Sequence, residues 1–186
     1  MRTTPANDLR VERTMEAINA SFRAMMLEGG YASVSVKELC GRARINKKTF
    51  YRYYECLDDL LAETMATYAA AWRRRTAHLR LPDDLAESTR EFFRFGAEQD
   101  ELYEAITCDP AFDAIQREMQ DMASGEHIDE VPEGWDSPAW HVVLAGTSAA
   151  TLAMYRAWVA DGKRVPLDDM CELAVRLLCR GTDGLA

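Results

Sequence analysis

Apolar residues in this chain recur at steps of three and four over most of its length, the spacing of a helix with one buried face. Val11, Met15, Ile18, Phe22 and Met25 mark the first such face. Asn7 or Asp8 can cap its start, and Gly29-Gly30 can close it, because glycine accepts the left-handed backbone that ends a helix. Ser35-Val36-Lys37-Glu38 has the form of a capping box, serine bonding forward and glutamate back. It opens a short helix with Leu39 and Ala43 inward, and Asn46 can cap another over Lys47 to Tyr54. A longer helix begins near Cys56, with Asp58 and Asp59 at its positive end. Its apolar positions Leu60, Leu61, Met65, Tyr68 and Trp72 lead toward Leu79, and Pro82 closes the segment.

Downstream, the pattern predicts helices over about 83–98, 101–107, 110–123, 137–161 and 166–180. Asp109-Pro110 and Ser137-Pro138 each pair a cap residue with proline at a first helical position. Gly162 and Gly181 are stops, and residues 124–136, rich in Gly, Pro and acids, read as a loop. Val34 and Val36 alternate with serines over too short a run to carry a sheet. The expected fold class is all-α.

Charge changes the picture only once it is divided along the chain. The 186 residues carry a net charge of −9. Residues 1–56 hold ten Lys/Arg against six Asp/Glu, whereas residues 57–186 hold twelve against twenty-five. A basic head on an acidic body offers one face to a phosphate backbone and repels it elsewhere. Surface charge blocks can also be plain solvated faces.

Cys40, Cys56, Cys108, Cys171 and Cys179 form no CxxC pair, and His78, His127 and His141 do not join them at zinc-like spacing, so buried small hydrophobes and no metal are expected. The N-terminal MRTTPANDLR lacks the apolar core of a signal peptide, and no uninterrupted run of eighteen apolar residues exists. A cytoplasmic protein without a membrane partner is expected. Gly-rich phosphate loops, nucleophile elbows and metal signatures are absent, so neither catalysis nor a cofactor is expected.

Two short helices joined by a tight turn, the second opening Asn46-Lys47-Lys48-Thr49, fit a helix-turn-helix. Basic and hydroxyl groups at the start of a groove-reading helix suit phosphate and base edges. Phe50 would turn inward, Tyr51 and Arg52 outward, and Tyr53 and Tyr54 would divide between DNA and core. Residues 10–61 resemble the DNA-binding region of the tetracycline-repressor (TetR) family. The resemblance rests on Ser35 through Leu39, followed by Ala43-Arg44-Ile45-Asn46-Lys47-Lys48-Thr49-Phe50-Tyr51-Arg52-Tyr53-Tyr54.

It implies an N-terminal three-helix helix-turn-helix DNA-binding domain over 1–56 and a helical ligand-binding and dimerisation domain over 57–186. By the same resemblance Ser35 touches phosphate, Lys47, Lys48, Thr49 and Tyr51 face the major groove, and Arg52 and Tyr53 grip the backbone. Three positions depart from the family pattern. Arg44 stands where glycine is usual, so a left-handed turn there is strained. Cys56 replaces a serine cap, and Leu57 replaces a lysine that meets phosphate.

Gly146, Ala150, Ala153 and Ala157 form a stripe of small residues that lets another helix come close. The resemblance implies that this stripe, with Leu173, Leu177 and Leu178, meets its copy in a homodimer; intramolecular packing is the other use of such a stripe. Phe92, Phe95, Tyr103, Phe112, Met119, Met122 and Tyr155 are candidates to line a cavity for an apolar or aromatic effector, with Arg94 or His141 as polar handle. The function implied is a repressor of a double-stranded DNA operator, released by that small molecule. A helical interaction module that keeps the fold without DNA binding or effector response is the alternative.

Overall fold

The computed structural model describes residues 5–113, 131 and 136–181, with side chains from Leu9 onward. Among these residues there are eight α-helices and no strand: α1 (Pro5–Gly29), α2 (Val36–Arg42), α3 (Lys47–Phe50), α4 (Leu57–Thr76), α5 (Leu85–Glu98), α6 (Glu101–Cys108), α7 (Ser137–Ala160) and α8 (Leu167–Arg180). Short 3-10 turns cover Tyr31–Ser33 and Pro110–Phe112. The helix expected over 110–123 is seen only as this second turn, because residues from 114 lie outside the described part, as does most of the loop expected over 124–136.

The helices begin and end where local chemistry permits. α1 is already helical at Pro5, upstream of the start expected at Asn7 or Asp8. Ser35 caps α2 by accepting from the Glu38 amide at 3.2 Å. Glu38 does not complete the box backward; its carboxylate pairs with Arg42 one turn on, at 2.8 Å. Asp136, not Ser137, caps α7, accepting from the Ala139 amide at 2.7 Å. A carboxylate is the stronger partner for the positive end of a helix. α3 is shorter than the expected 47–54, because the amides of Arg52 and Tyr53 reach back only three residues, to Thr49 and Phe50, and tighten the chain into turns.

The chain divides into two compact units after Met65, within α4. The sequence boundary at 56 falls nine residues earlier. The reason lies in the first turns of α4, where Leu60 and Leu61 are fully buried and the Tyr31 hydroxyl donates to Asp58. The core of the first unit includes Ile18, Phe22, Met25, Leu39, Phe50, Leu60 and Leu61, each nearly or wholly closed to solvent. Val11 and Met15, expected on the same face, are only half-buried.

In the second unit α5 packs chiefly on α8, and α7 completes a core of Phe93, Tyr155, Trp158, Met170, Cys171 and Ala174. Trp158 donates its indole N–H to the Val165 carbonyl at 2.8 Å, so the ring is buried without an orphaned donor. In the Arg73-Arg74-Arg75 run, Arg75 holds Glu91 and Glu98 of α5. Arg73 and Arg74 are exposed.

Gly96 decides how closely α5 and α7 can approach. A Cβ built there would stand 2.6 Å from Cε2 of Tyr155, whose hydroxyl donates to the Gly96 carbonyl at 3.2 Å. Gly96→Ala should gain about 1 kcal/mol in helix propensity and lose about 1–3 kcal/mol to overpacking. The clash wins, because the neighbour is a rigid ring with no room to retreat. Thermal denaturation should therefore show a melting temperature lower by several degrees; an unchanged or higher value would mean that Tyr155 can move aside.

Candidate nucleic-acid interface

The helix-turn-helix is held by a turn that two main-chain hydrogen bonds define. Ile45 N donates to the Cys40 carbonyl at 3.0 Å and Arg44 N to the Gly41 carbonyl at 3.3 Å, which closes α2 as a Schellman motif. The motif needs a left-handed residue, and Arg44 takes that place with φ of 54°. The same motif ends α7, where Lys163 N bonds to the Trp158 carbonyl and Gly162 holds φ of 72°. Glycine enters that region freely, whereas an L side chain costs about 1–2 kcal/mol.

From the turn the chain passes directly to Asn46, whose Oδ1 accepts from the Thr49 amide at 2.8 Å and from the Thr49 hydroxyl at 3.0 Å. Phe50 anchors the helix with none of its surface exposed, its ring 5.5 Å from that of Tyr54. Tyr54 is buried, and burial together with the Glu63 carboxylate holds its hydroxyl protonated far above its ordinary range. With the apolar side fixed, Lys47, Lys48, Tyr51 and Arg52 stand exposed on the other; Tyr51 keeps 54% of its surface.

Of the other residues expected at DNA, Ser35 is exposed at the start of α2, Tyr53 is half-buried, and Thr49 is half-buried with its hydroxyl engaged by Asn46. The Cys56 departure has a compensation that the sequence reading missed. Asp59 Oδ2 accepts from the amides of Glu55 at 2.7 Å and Cys56 at 3.2 Å, supplying from inside α4 the cap that residue 56 lacks. The signal was present: an acid three residues after the cap position.

In the second unit the aromatic candidates form one continuous set of edge contacts. Ring centroids lie 6.0 Å apart for Trp72 and Phe92, 5.5 Å for Trp72 and Phe95, 5.6 Å for Phe95 and Tyr103, and 5.6 Å for Phe92 and Tyr155. Phe112 is buried. Burial pushes the Tyr103 hydroxyl up to about 12 and the Tyr155 hydroxyl higher still, so both are neutral donors at any physiological pH. His141 does not join them. It is exposed near the start of α7, bonded to Ser137 at 3.3 Å, and roughly 21 Å along the helix axis from Tyr155. Met119 and Met122 lie outside the described residues. Arg94 faces Glu91 at 3.4 Å and Glu87 at 3.6 Å.

Gly146, Ala153 and Ala157 are exposed along α7, Ala150 is half-buried, and Leu173 and Leu177 on α8 are exposed and half-buried. Among the described residues, a Cβ at Gly146 would meet nothing within 4 Å. Two cysteines depart from the buried-hydrophobe expectation: Cys56 and Cys179 are exposed, while Cys40 and Cys171 are buried with thiols pushed above their ordinary pKa by that burial.

Compared with known proteins, residues 20–64 match the family described as bacterial regulatory proteins, tetR family. No curated protein matches the chain in sequence. Among solved structures, fatty acid degradation regulator FadR from Bacillus halodurans aligns with a TM-score of 0.62 at 14% identity, covering 98% of each chain. Transcriptional regulator FadR from Bacillus subtilis in complex with stearoyl-CoA aligns with a TM-score of 0.59 at 17% identity, over 89% of this chain and 98% of that one. Thermus thermophilus FadR, a TetR-family transcriptional repressor in complex with lauroyl-CoA, aligns with a TM-score of 0.54 at 18% identity, over 90% and 94%. At such identities the likeness is one of fold. Residues 20–64 thus carry a helix-turn-helix of the kind found in bacterial regulatory proteins of the tetR family, at the head of a chain that is all-helical among its described residues and similar in fold to those regulators.

Proposed function

We propose that the chain is a sequence-specific DNA-binding repressor that works as a homodimer and is released by an apolar small molecule. The observation that carries the DNA part is the exposed set Lys47, Lys48, Tyr51 and Arg52 on a helix fixed from behind by Phe50. Among the described residues none of the three cations is taken by a carboxylate of the chain. Lys47→Ala should weaken binding to specific and scrambled duplexes alike and lower the salt slope by about one per bound chain. Tyr51→Ala should instead change the preference between the two duplexes. Fluorescence anisotropy against the chain's own upstream region reads both effects. A parent protein that binds no duplex would leave the chain a helical interaction module.

α7 supplies the argument for the dimer. It is the one described helix long and apolar enough to cross a membrane, with a mean hydropathy of 1.2 over an eighteen-residue window, although no uninterrupted apolar run exists. Its buried face is committed to the protein through Tyr155 and Trp158, and Arg156 donates to the Thr107 carbonyl at 2.8 Å and pairs with Asp113. What remains exposed is small and apolar. Glycine costs about 1 kcal/mol in a helix interior, and the open space at Gly146 gives it no use against the described residues of the protomer. A second copy of α7 gives it one, by close approach. Ala153→Phe should then yield a folded monomer by sedimentation, with unchanged helicity by circular dichroism; an intact dimer would place the interface elsewhere.

For the effector, the FadR structures from B. subtilis and T. thermophilus hold fatty acyl thioesters of coenzyme A. We carry over the apolar chain and not the nucleotide. Four cations of the second unit are already answered: Arg75 by Glu91 and Glu98, Arg90 by Glu172, Arg156 by Asp113 and Lys163 by Glu104. Residues 57–186 are strongly acidic besides, so a polyphosphate head group meets repulsion. A long-chain fatty acid or an aromatic compound should raise the melting temperature and weaken duplex binding together, because both draw on one equilibrium. Coenzyme A alone should do neither. Stabilisation only by highly charged metabolites would overturn the assignment.

A further inference from the structure

The first unit contains an open groove of about 500 Å³ between the start of α1 and the turn that precedes α3. Leu9, Arg10, Arg13 and Thr14 line it from α1, and Ala43 and Ile45 from the turn. Its floor is apolar, and Leu9 is 55% exposed. Arg10 and Arg13 are exposed, one turn apart on one face, and among the described residues neither has a carboxylate at ion-pair distance. Arg42, by contrast, is spent on Glu28 and Glu38. A second, independent observation lies between the two turn residues of the groove. Arg44 holds a left-handed backbone that an L side chain adopts only under strain, and its side chain is exposed.

We propose that this groove, with Arg10, Arg13 and Arg44 about it, is a second DNA-contacting site, taking the sugar-phosphate backbone of a duplex whose bases α3 reads. The inference rests on the DNA-binding reading above. A backbone strand presents apolar deoxyribose faces between anionic phosphates, which matches an apolar floor flanked by free guanidinium groups. Continuity fixes the occupant, because Ile45 leads without a break into the Asn46 cap and the exposed Lys47. A duplex held at Lys47 therefore has a strand beside the turn. The strained Arg44 then serves a purpose that glycine would not, placing a cation at the tip of the turn.

The test is anisotropy titration of two labelled duplexes, one from the chain's own upstream region and one scrambled, between about 50 and 200 mM salt. Arg10→Gln with Arg13→Gln should lower the salt slope by about two per bound chain. The ratio of affinities for the two duplexes should be unchanged, since phosphate contacts carry no sequence information. Arg44→Gly should lower the slope by about one while raising the melting temperature, because it relieves strain. Those opposite signs separate a lost DNA contact from a damaged fold. If Lys47→Ala lowers the slope while the Arg10/Arg13 pair and Arg44→Gly leave it unchanged, the inference falls and the DNA-binding reading stands. If the parent protein binds neither duplex, the reading itself fails and takes this site with it.

Discussion

Tyr155 is the largest fully buried side chain among the described residues, and it reaches its seat against α5 only because residue 96 has no side chain of its own. Much in the second unit follows from that contact. With α5 and α7 in touch at Gly96, the rings of Phe92, Phe93 and Trp158 meet Tyr155 at 5.6–6.2 Å. α8 covers the opening with Met170, Cys171 and Ala174. The hydroxyl of Tyr155 loses water on burial and recovers a partner in the Gly96 carbonyl, so the contact that demands a glycine also satisfies the polar atom it buries. One face of α7 is thereby used up, which leaves the small residues of the opposite face outward.

The first unit solves a different problem, holding a very short helix rigid enough to present side chains. α3 has four residues and too few internal hydrogen bonds to stand alone. Its position comes from both ends: the Asn46 cap in front, Phe50 and Tyr54 behind, and a turn closed by the Cys40 carbonyl. Strain at Arg44 is sustained because so many surrounding groups fix that turn.

How far the sequence alone revealed this depends on the range of the interaction. Helix positions were legible from periodicity and caps, and the expected 101–107 and 137–161 differ from α6 and α7 by a single residue. The inward Phe50 and outward Tyr51 were legible for the same reason, and so was the strain at Arg44, since one residue and one motif decide it. What was not legible needed two distant segments brought together. Arg75 reads as one member of a basic run until α5 places Glu91 and Glu98 beside it. Arg10 and Arg13 read as ordinary charges until the turn at Ala43 and Ile45 lies against them. His141 and Tyr155 lie on one helix, where distance along the axis is fixed by the rise per residue.

The outward face of α7 also bears on how much protein is needed for the fold to persist. A protomer alone leaves Val142 72% exposed and Gly146, Ala149 and Ala153 in contact with water. A partner that covers this face binds the folded chain and not the unfolded one, so its contribution grows with the logarithm of protomer concentration. Stability is then a property of the population rather than of the single chain. At low abundance the same helix is open to wrong associations, since a bare apolar face pairs with whatever it meets first.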